Sequence, residues 1–217
     1  MHSDNLSNNL VALTGRIISE PEFSHEVFGE EFYIVNLEVP RLSQAHDILP
    51  VTVSERIMDR SAFICGNYIN ISGQIRSYNN YVESEGRNRL ILTVFTRDYQ
   101  IFDEAPSRGI NEVFLNGFIC KPPMYRTTPF GREIADLLVA VNRSYNKSDY
   151  VPCITWGRNA RFCGKLDVSD NLKLWGRLQS RVYQKKYDDG TITDRVAYEV
   201  SVSKIEVVER EVFDLDE

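Results

Sequence analysis

Hydrophobic and polar positions alternate over much of the chain with a period of two, the spacing a half-buried β-strand imposes. In Tyr150-Val151-Pro152-Cys153-Ile154-Thr155-Trp156, Val151, Cys153 and Thr155 share the side better suited to an interior. Tyr150, Pro152, Ile154 and Trp156 share the other. From Leu172 to Tyr183, Leu172, Leu174, Gly176 and Leu178 point one way, and Lys173, Trp175, Arg177, Gln179, Arg181 and Tyr183 the other. A further strand runs from Thr193 to Val208, alternating Val196, Tyr198, Val200 and Val202 with polar residues. Val113 to Ile119 and Glu133 to Asn142 complete five predicted strands. One short helix fits between the third and fourth, near Arg158 to Leu166.

The same pattern occurs earlier in the chain, displaced by 102 residues. Gly15 then meets Gly117, Phe28-Gly29 meets Phe130-Gly131, and Pro50 meets Pro152. With a small shift, Ile71-Ser72-Gly73-Gln74-Ile75 meets Leu174-Trp175-Gly176-Arg177-Leu178. A period near one hundred residues exceeds a solenoid unit and fits two copies of one small domain. The polar join Asp103-Glu104-Ala105-Pro106-Ser107-Arg108-Gly109 predicts domains at residues 1–106 and 107–208, followed by an acidic tail at 209–217. Five strands with a helix after the third is the order of the OB-fold. The expected class is all-β: two tandem five-stranded Greek-key barrels, each with one short helix, the first copy's near Glu55 to Cys65. Gly117 and Gly176 suit the tight bends of such barrels.

Charge divides the copies. The chain carries −6 overall, which by itself argues against nucleic acid. Residues 1–106 hold 8 arginines, no lysine and 15 acids, net −7. Residues 107–208 carry +5, and the tail −4. The four cysteines form no C-x-x-C pair and read as reduced buried thiols. The three histidines are scattered, so no metal and no cofactor is expected. Carboxylates sit mostly in turns and the tail, without the clusters a nuclease needs, so no enzyme is expected. No run reaches a membrane span and the start lacks signal-peptide character, so a cytoplasmic location is expected.

The outward side of the second copy mixes rings and cations. Bases stack on rings whatever their identity, while Lys and Arg neutralise phosphates. Candidate residues for single-stranded DNA are Tyr145, Tyr150, Trp156, Tyr183 and Trp175, with Arg143, Lys147, Arg177, Arg181, Lys185 and Lys186. Core roles for Tyr150 and Trp156, a cross-strand packing role for Tyr183, a dimer-interface role for Trp175 and plain hairpin charge for Lys185-Lys186 stay open. RNA stays open as well, since stacking does not read the 2′-hydroxyl.

Residues 149–160 and 172–183, with Lys121-Pro122-Pro123, Phe130-Gly131 and Leu138 to Arg143, resemble the bacterial single-stranded DNA-binding proteins over roughly residues 111–208. The resemblance implies that the base-stacking aromatics are Tyr145, Tyr150, Trp156 and Tyr183, and that the role lies in replication, recombination or repair. It also implies a homodimer giving four OB domains and replication or helicase partners. The alternative within the same fold is a primosome-type accessory protein acting mainly through protein contacts. By the 102-residue offset, Tyr145, Tyr150 and Trp156 become Ser43, Ile48 and Ser54, so the first copy is expected to be mainly architectural, with Arg56, Arg76 and Tyr78 as auxiliary contacts. The closing Val212-Phe213-Asp214-Leu215-Asp216-Glu217 is acidic but lacks the family's terminal Pro-Phe.

Overall fold

In a computed structural model, which describes residues 8–43, 45–82, 86–107, 109–187 and 189–209, the alternating segments close into two β-barrels. The first contains β1 (Asn9–Ile17), β2 (Glu22–Val27), β3 (Glu30–Pro40), β4 (His46–Ser54), β5 (Tyr68–Val82) and β6 (Arg87–Phe102). The second contains β7 (Asn111–Ile119), β8 (Met124–Thr127), β9 (Glu133–Asn142), β10 (Ser148–Trp156), α1 (Arg158–Cys163), β11 (Asn171–Lys186) and β12 (Ile192–Val207). Around the first barrel the order is β1-β3-β4-β6-β5 and back to β1, with β4 and β6 parallel. The second repeats it as β7-β9-β10-β12-β11, with β10 and β12 parallel. This is the OB-fold ring. One short strand lies outside each ring's count: β2 on β3 and β8 on β9.

The period of two selects the core. Leu13, Leu37, Leu49, Val51, Ile69, Ile71 and Val94 are buried in the first barrel, and Leu115, Val139, Val151, Cys153, Leu172, Leu174 and Val200 in the second. Each such large side chain contributes about 1.5–3 kcal/mol of apolar burial. Glycine marks where backbones come closest. A Cβ on Gly117 would lie 2.5 Å from the Ala140 carbonyl oxygen, and one on Gly176 would lie 2.3 Å from that of Ser201.

The predicted helix of the second copy forms as α1 and buries Ala160 and Cys163. Its counterpart near Glu55 to Cys65 does not form; that stretch is a series of turns. The Asp59 carboxylate accepts both the N–H and the hydroxyl of Ser61, at 2.9 and 2.6 Å. Such a local bond offers the backbone an alternative to the helical ladder. Met58 and Phe63 still fill the barrel end from these turns.

The barrels join edge to edge. β1 pairs antiparallel with β7 in the register Asn9↔Leu115, Val11↔Val113, Leu13↔Asn111. Val11 and Val113 are repeat equivalents, so a pseudo-two-fold axis passes between them. Asn9 bridges the Ile75 backbone with bonds of 2.8 and 2.9 Å, and Asn111 bridges the Leu178 backbone with the same lengths.

Candidate nucleic-acid interface

A strand places every second side chain outside its barrel, but outside one barrel is in part against the other. That distinction sorts the candidate residues. Tyr150 and Trp156 lie on the same side of β10 and are 43% and 40% exposed. Tyr145 stands on the turn between β9 and β10 and is 93% exposed. The turn is closed by the Arg143 N–H donating to the Lys147 carbonyl at 2.7 Å. It carries Tyr145 and Asn146 at φ of 61° and 54°, a left-handed pair that lifts the ring clear of the sheet at a cost of about 1–2 kcal/mol per residue. Tyr183, on β11, is 38% exposed. It lines a groove with Pro152, which sits between Tyr150 and Trp156 on their side of β10. Tyr150 and Trp156 thus share one side of β10, Tyr183 borders the groove that Pro152 of that side also lines, and Tyr145 projects from the β9–β10 turn.

Trp175 is elsewhere. Its ring packs 5.1 Å from Phe114, under the Lys204 ammonium at 4.4 Å. It lines a separate groove with Leu10, Ser72 and Phe114 at the β1–β7 join. β11 keeps its alternation, but its first half pairs with β7 and its second half does not, and the β11–β12 register steps between Trp175 and Gly176. The strand turns as it runs, so one parity faces two directions. Gln179, placed outward by alternation, is buried and donates to Glu199 at 2.8 Å.

Several of the cations have carboxylate neighbours. Arg143 bonds Asp149 at 3.2 Å, Arg177 lies 3.9 Å from Asp47, and Arg181 lies 3.5 Å from Glu199. Arg181 also sits 5.6 Å over the Tyr183 ring, and Lys185 4.2 Å over Tyr187. Lys147 and Lys186 are exposed. Arg143 and Arg177 therefore approach the surface from fixed positions rather than as loose charges.

Two buried carboxylates fix them, and sequence reasoning missed both. Asp47 on β4 accepts the Ser180 N–H of the other barrel at 2.7 Å and holds Arg41 at 2.6 Å. Asp149 on β10 accepts the Ser77 N–H of the other barrel at 2.8 Å and holds Arg76 at 2.9 Å. Neither carboxylate is exposed. The pair is reciprocal across the pseudo-two-fold, and its 102-residue spacing was available in the sequence. Ser77 also accepts the Tyr150 N–H at 2.7 Å. The first barrel thus positions a residue of the second barrel's aromatic face. Its β6 contributes Arg89 and Leu90 to the Tyr183 groove, and Arg89 donates to the Val196 carbonyl at 3.4 Å.

The repeat-equivalent ground in the first barrel is different. Ser54, at the Trp156 position, is buried, bonds Glu30 and accepts the Arg56 N–H at 3.1 Å. Ile48, at the Tyr150 position, is exposed. Among the described residues, no group of three or more His, Cys, Asp or Glu is placed to hold a metal. Nor is any described helix long and apolar enough to cross a membrane. The acidic tail from residue 210 lies outside the described residues.

The profile of the single-strand binding protein family matches residues 110–208. Single-stranded DNA-binding protein B of Bacillus subtilis is 33% identical over 86 residues, 35% of this chain and 74% of that protein. Single-stranded DNA-binding protein 1 of Staphylococcus aureus is 34% identical over 84 residues, 36% of this chain; the chain spans only 50% of that relative's length. Among solved structures, the wild-type single-stranded DNA binding protein of Thermus aquaticus superposes with a TM-score of 0.72 at 20% identity, covering 93% of each chain. That likeness extends the fold match to both barrels. The chain belongs to the single-strand binding protein family.

Proposed function

We propose that the second barrel binds single-stranded DNA without regard to sequence, by stacking bases on Tyr145, Tyr150, Trp156 and Tyr183. The observation that carries this reading is the set of four large rings left partly open on one basic barrel, Tyr150 and Trp156 on the same side of β10. An exposed ring is poorly placed for stability and well placed for a base, which gains about 1–3 kcal/mol on it. Arg143, Lys147, Arg177, Arg181, Lys185 and Lys186 supply the phosphate contacts, and Arg143 and Arg177 do so from orientations set by Asp149 and Asp47. The first barrel is mainly architectural in this reading: it completes the sheet and braces Tyr150 through Ser77. The protein works without catalysis, in the cytoplasm with the DNA it covers, during replication, recombination or repair. Two chains associate to present four barrels. The half-buried Trp175, with Phe114 and the exposed Leu10 at the β1–β7 join, forms the surface for that second copy.

The test uses the two tryptophans, Trp156 and Trp175. Oligo-dT is expected to quench the fluorescence of Trp156 in a Trp175→Phe chain. In a Trp156→Phe chain it leaves Trp175 unchanged while affinity falls little. Unquenched Trp156, together with an affinity indifferent to salt, would sink the reading.

A further inference from the structure

The first barrel lacks the stacking set, yet beside Tyr145 and Tyr150 its outer surface opens into a groove of about 500 Å³. His25 from β2, Phe32 from β3, Tyr78 from β5 and Phe95 from β6 line it, with Arg76 and, from the second barrel, Arg143. The His25 ring stacks on Phe32 with centroids 4.9 Å apart and planes 11° from parallel. Phe32 meets Phe95 at 5.8 Å, and the Arg76 guanidinium lies 5.9 Å over the Phe95 ring. An aromatic wall and guanidinium groups therefore share one cavity.

The charge there is unbalanced. Arg76 and Arg143 both bond Asp149. Arg97 joins them through Gln74, whose oxygen accepts from Arg76 at 2.5 Å and from Arg97 at 2.9 Å. Two guanidiniums thus share one carboxylate, with Arg97 linked behind them from the separate groove at the β1–β7 join. Burial pulls Arg76 below the usual arginine value; Asp149 opposes that, while Arg143 and Arg97 add to it. An anion at this point would offset the crowded positive charge.

The second barrel is built differently at the equivalent positions. Phe32 and Thr52, themselves buried, become the aliphatic Ile134 and Ile154, and the Arg76 guanidinium and Thr93 hydroxyl give way to the hydrogen-bonded pair Gln179 and Glu199. The groove is therefore a property of the first copy's own residues. It is also continuous with the aromatic face. Arg143 precedes Tyr145 by two positions, and Ser77, which lines the groove, accepts the Tyr150 N–H.

We propose that this groove takes one base and its phosphate from the same single strand that crosses Tyr145 and Tyr150. The base lies against the wall of His25, Phe32 and Phe95, and the phosphate meets Arg76 and Arg143. The proposal rests on the reading of the second barrel as a single-strand binder, and makes the first barrel a participant.

His25 and Tyr78 are exposed, so His25→Ala/Tyr78→Ala can be made in the full chain without emptying the core. A barrel of this kind occupies roughly 4–16 nucleotides, so oligo-dT of about 8 and of about 30 nucleotides separates one site from a longer path. The double variant is expected to bind the short oligomer as the parent does and the long one about tenfold more weakly, with unchanged thermal unfolding. Trp156→Ala should weaken both lengths. Equal binding of the long oligomer by parent and double variant overturns the groove while leaving the Trp156 face standing. The reverse, a loss with the double variant and none with Trp156→Ala, overturns the second-barrel reading and keeps the groove as a base site. Free dTMP supplies the last arm: if it binds the parent, is lost in the double variant, and long-oligomer affinity does not change, the groove serves free nucleotides and the shared-strand proposal fails.

Discussion

Trp156 and Ser54 occupy equivalent places in the two copies and do opposite things. Trp156 keeps its ring open at the end of β10, whereas Ser54 is buried against Glu30 and the Arg56 N–H. Trp156→Ala and Tyr150→Ala are each expected to weaken oligo-dT binding by about 1–3 kcal/mol in fluorescence titrations. Ser54→Ala should leave affinity unchanged and instead lower the melting temperature, through loss of about 1 kcal/mol of hydrogen bonding. Asp149→Ala should both weaken oligo-dT binding and lower the melting temperature, because it takes the carboxylate from Arg76 and Arg143 and the acceptor from the Ser77 N–H. A cost of about 3 kcal/mol suits a buried carboxylate with partly exposed partners, and thermal unfolding measures it. The thiols differ by setting. Cys65 is exposed, while Cys153 and Cys163 are buried and burial pushes both thiols up. Thiol labelling of the native chain followed by mass spectrometry should find Cys65 modified first and those two protected, since the thiolate is the reactive form. The open rings of Tyr150, Trp156 and Tyr183 could be read from residue type and alternation. The carboxylates that set Arg143 and Arg177 could not be read that way, because a single Asp among strand residues looks like any edge charge until its partner barrel is in place.

At the scale of the strand, a period of two was legible wherever one face is buried. β9 was placed from Glu133 to Asn142, and the structure gives the same bounds. β2 and β8 escaped notice because nearly all their residues are exposed and they bear no alternation. The first copy's missing helix turned on a contest between Asp59 and Ser61 and their own backbone, which a repeat alignment does not register. Trp175 was misplaced for a related reason: alternation tells which side of a strand a residue takes, not where that side points after the strand has coiled. Gly176 sits at this bend. Gly176→Ala would drive a Cβ into the Ser201 carbonyl, and should cost about 1–3 kcal/mol in denaturant unfolding.

The whole molecule carries net negative charge, yet its binding should still weaken with salt. Log affinity is expected to fall by about 0.7 per neutralised phosphate for each unit of log salt, because the net negative charge lies in the first copy and the tail. Light scattering is expected to give twice the chain mass, and Trp175→Glu to return it to one chain while the Trp156 face stays intact. The β1–β7 ladder has a consequence of its own. Val11 lies opposite Val113, so the join has the pattern two identical subunits would make. Identical subunits would be interchangeable: a linear polymer with distinct ends could cross the pair starting from either one and meet the same chemistry in the same order. Here the halves are tied into one chain and have diverged, Trp156 against Ser54, Phe95 against Ser201. The two orders of crossing are no longer equivalent, and the molecule has acquired a direction.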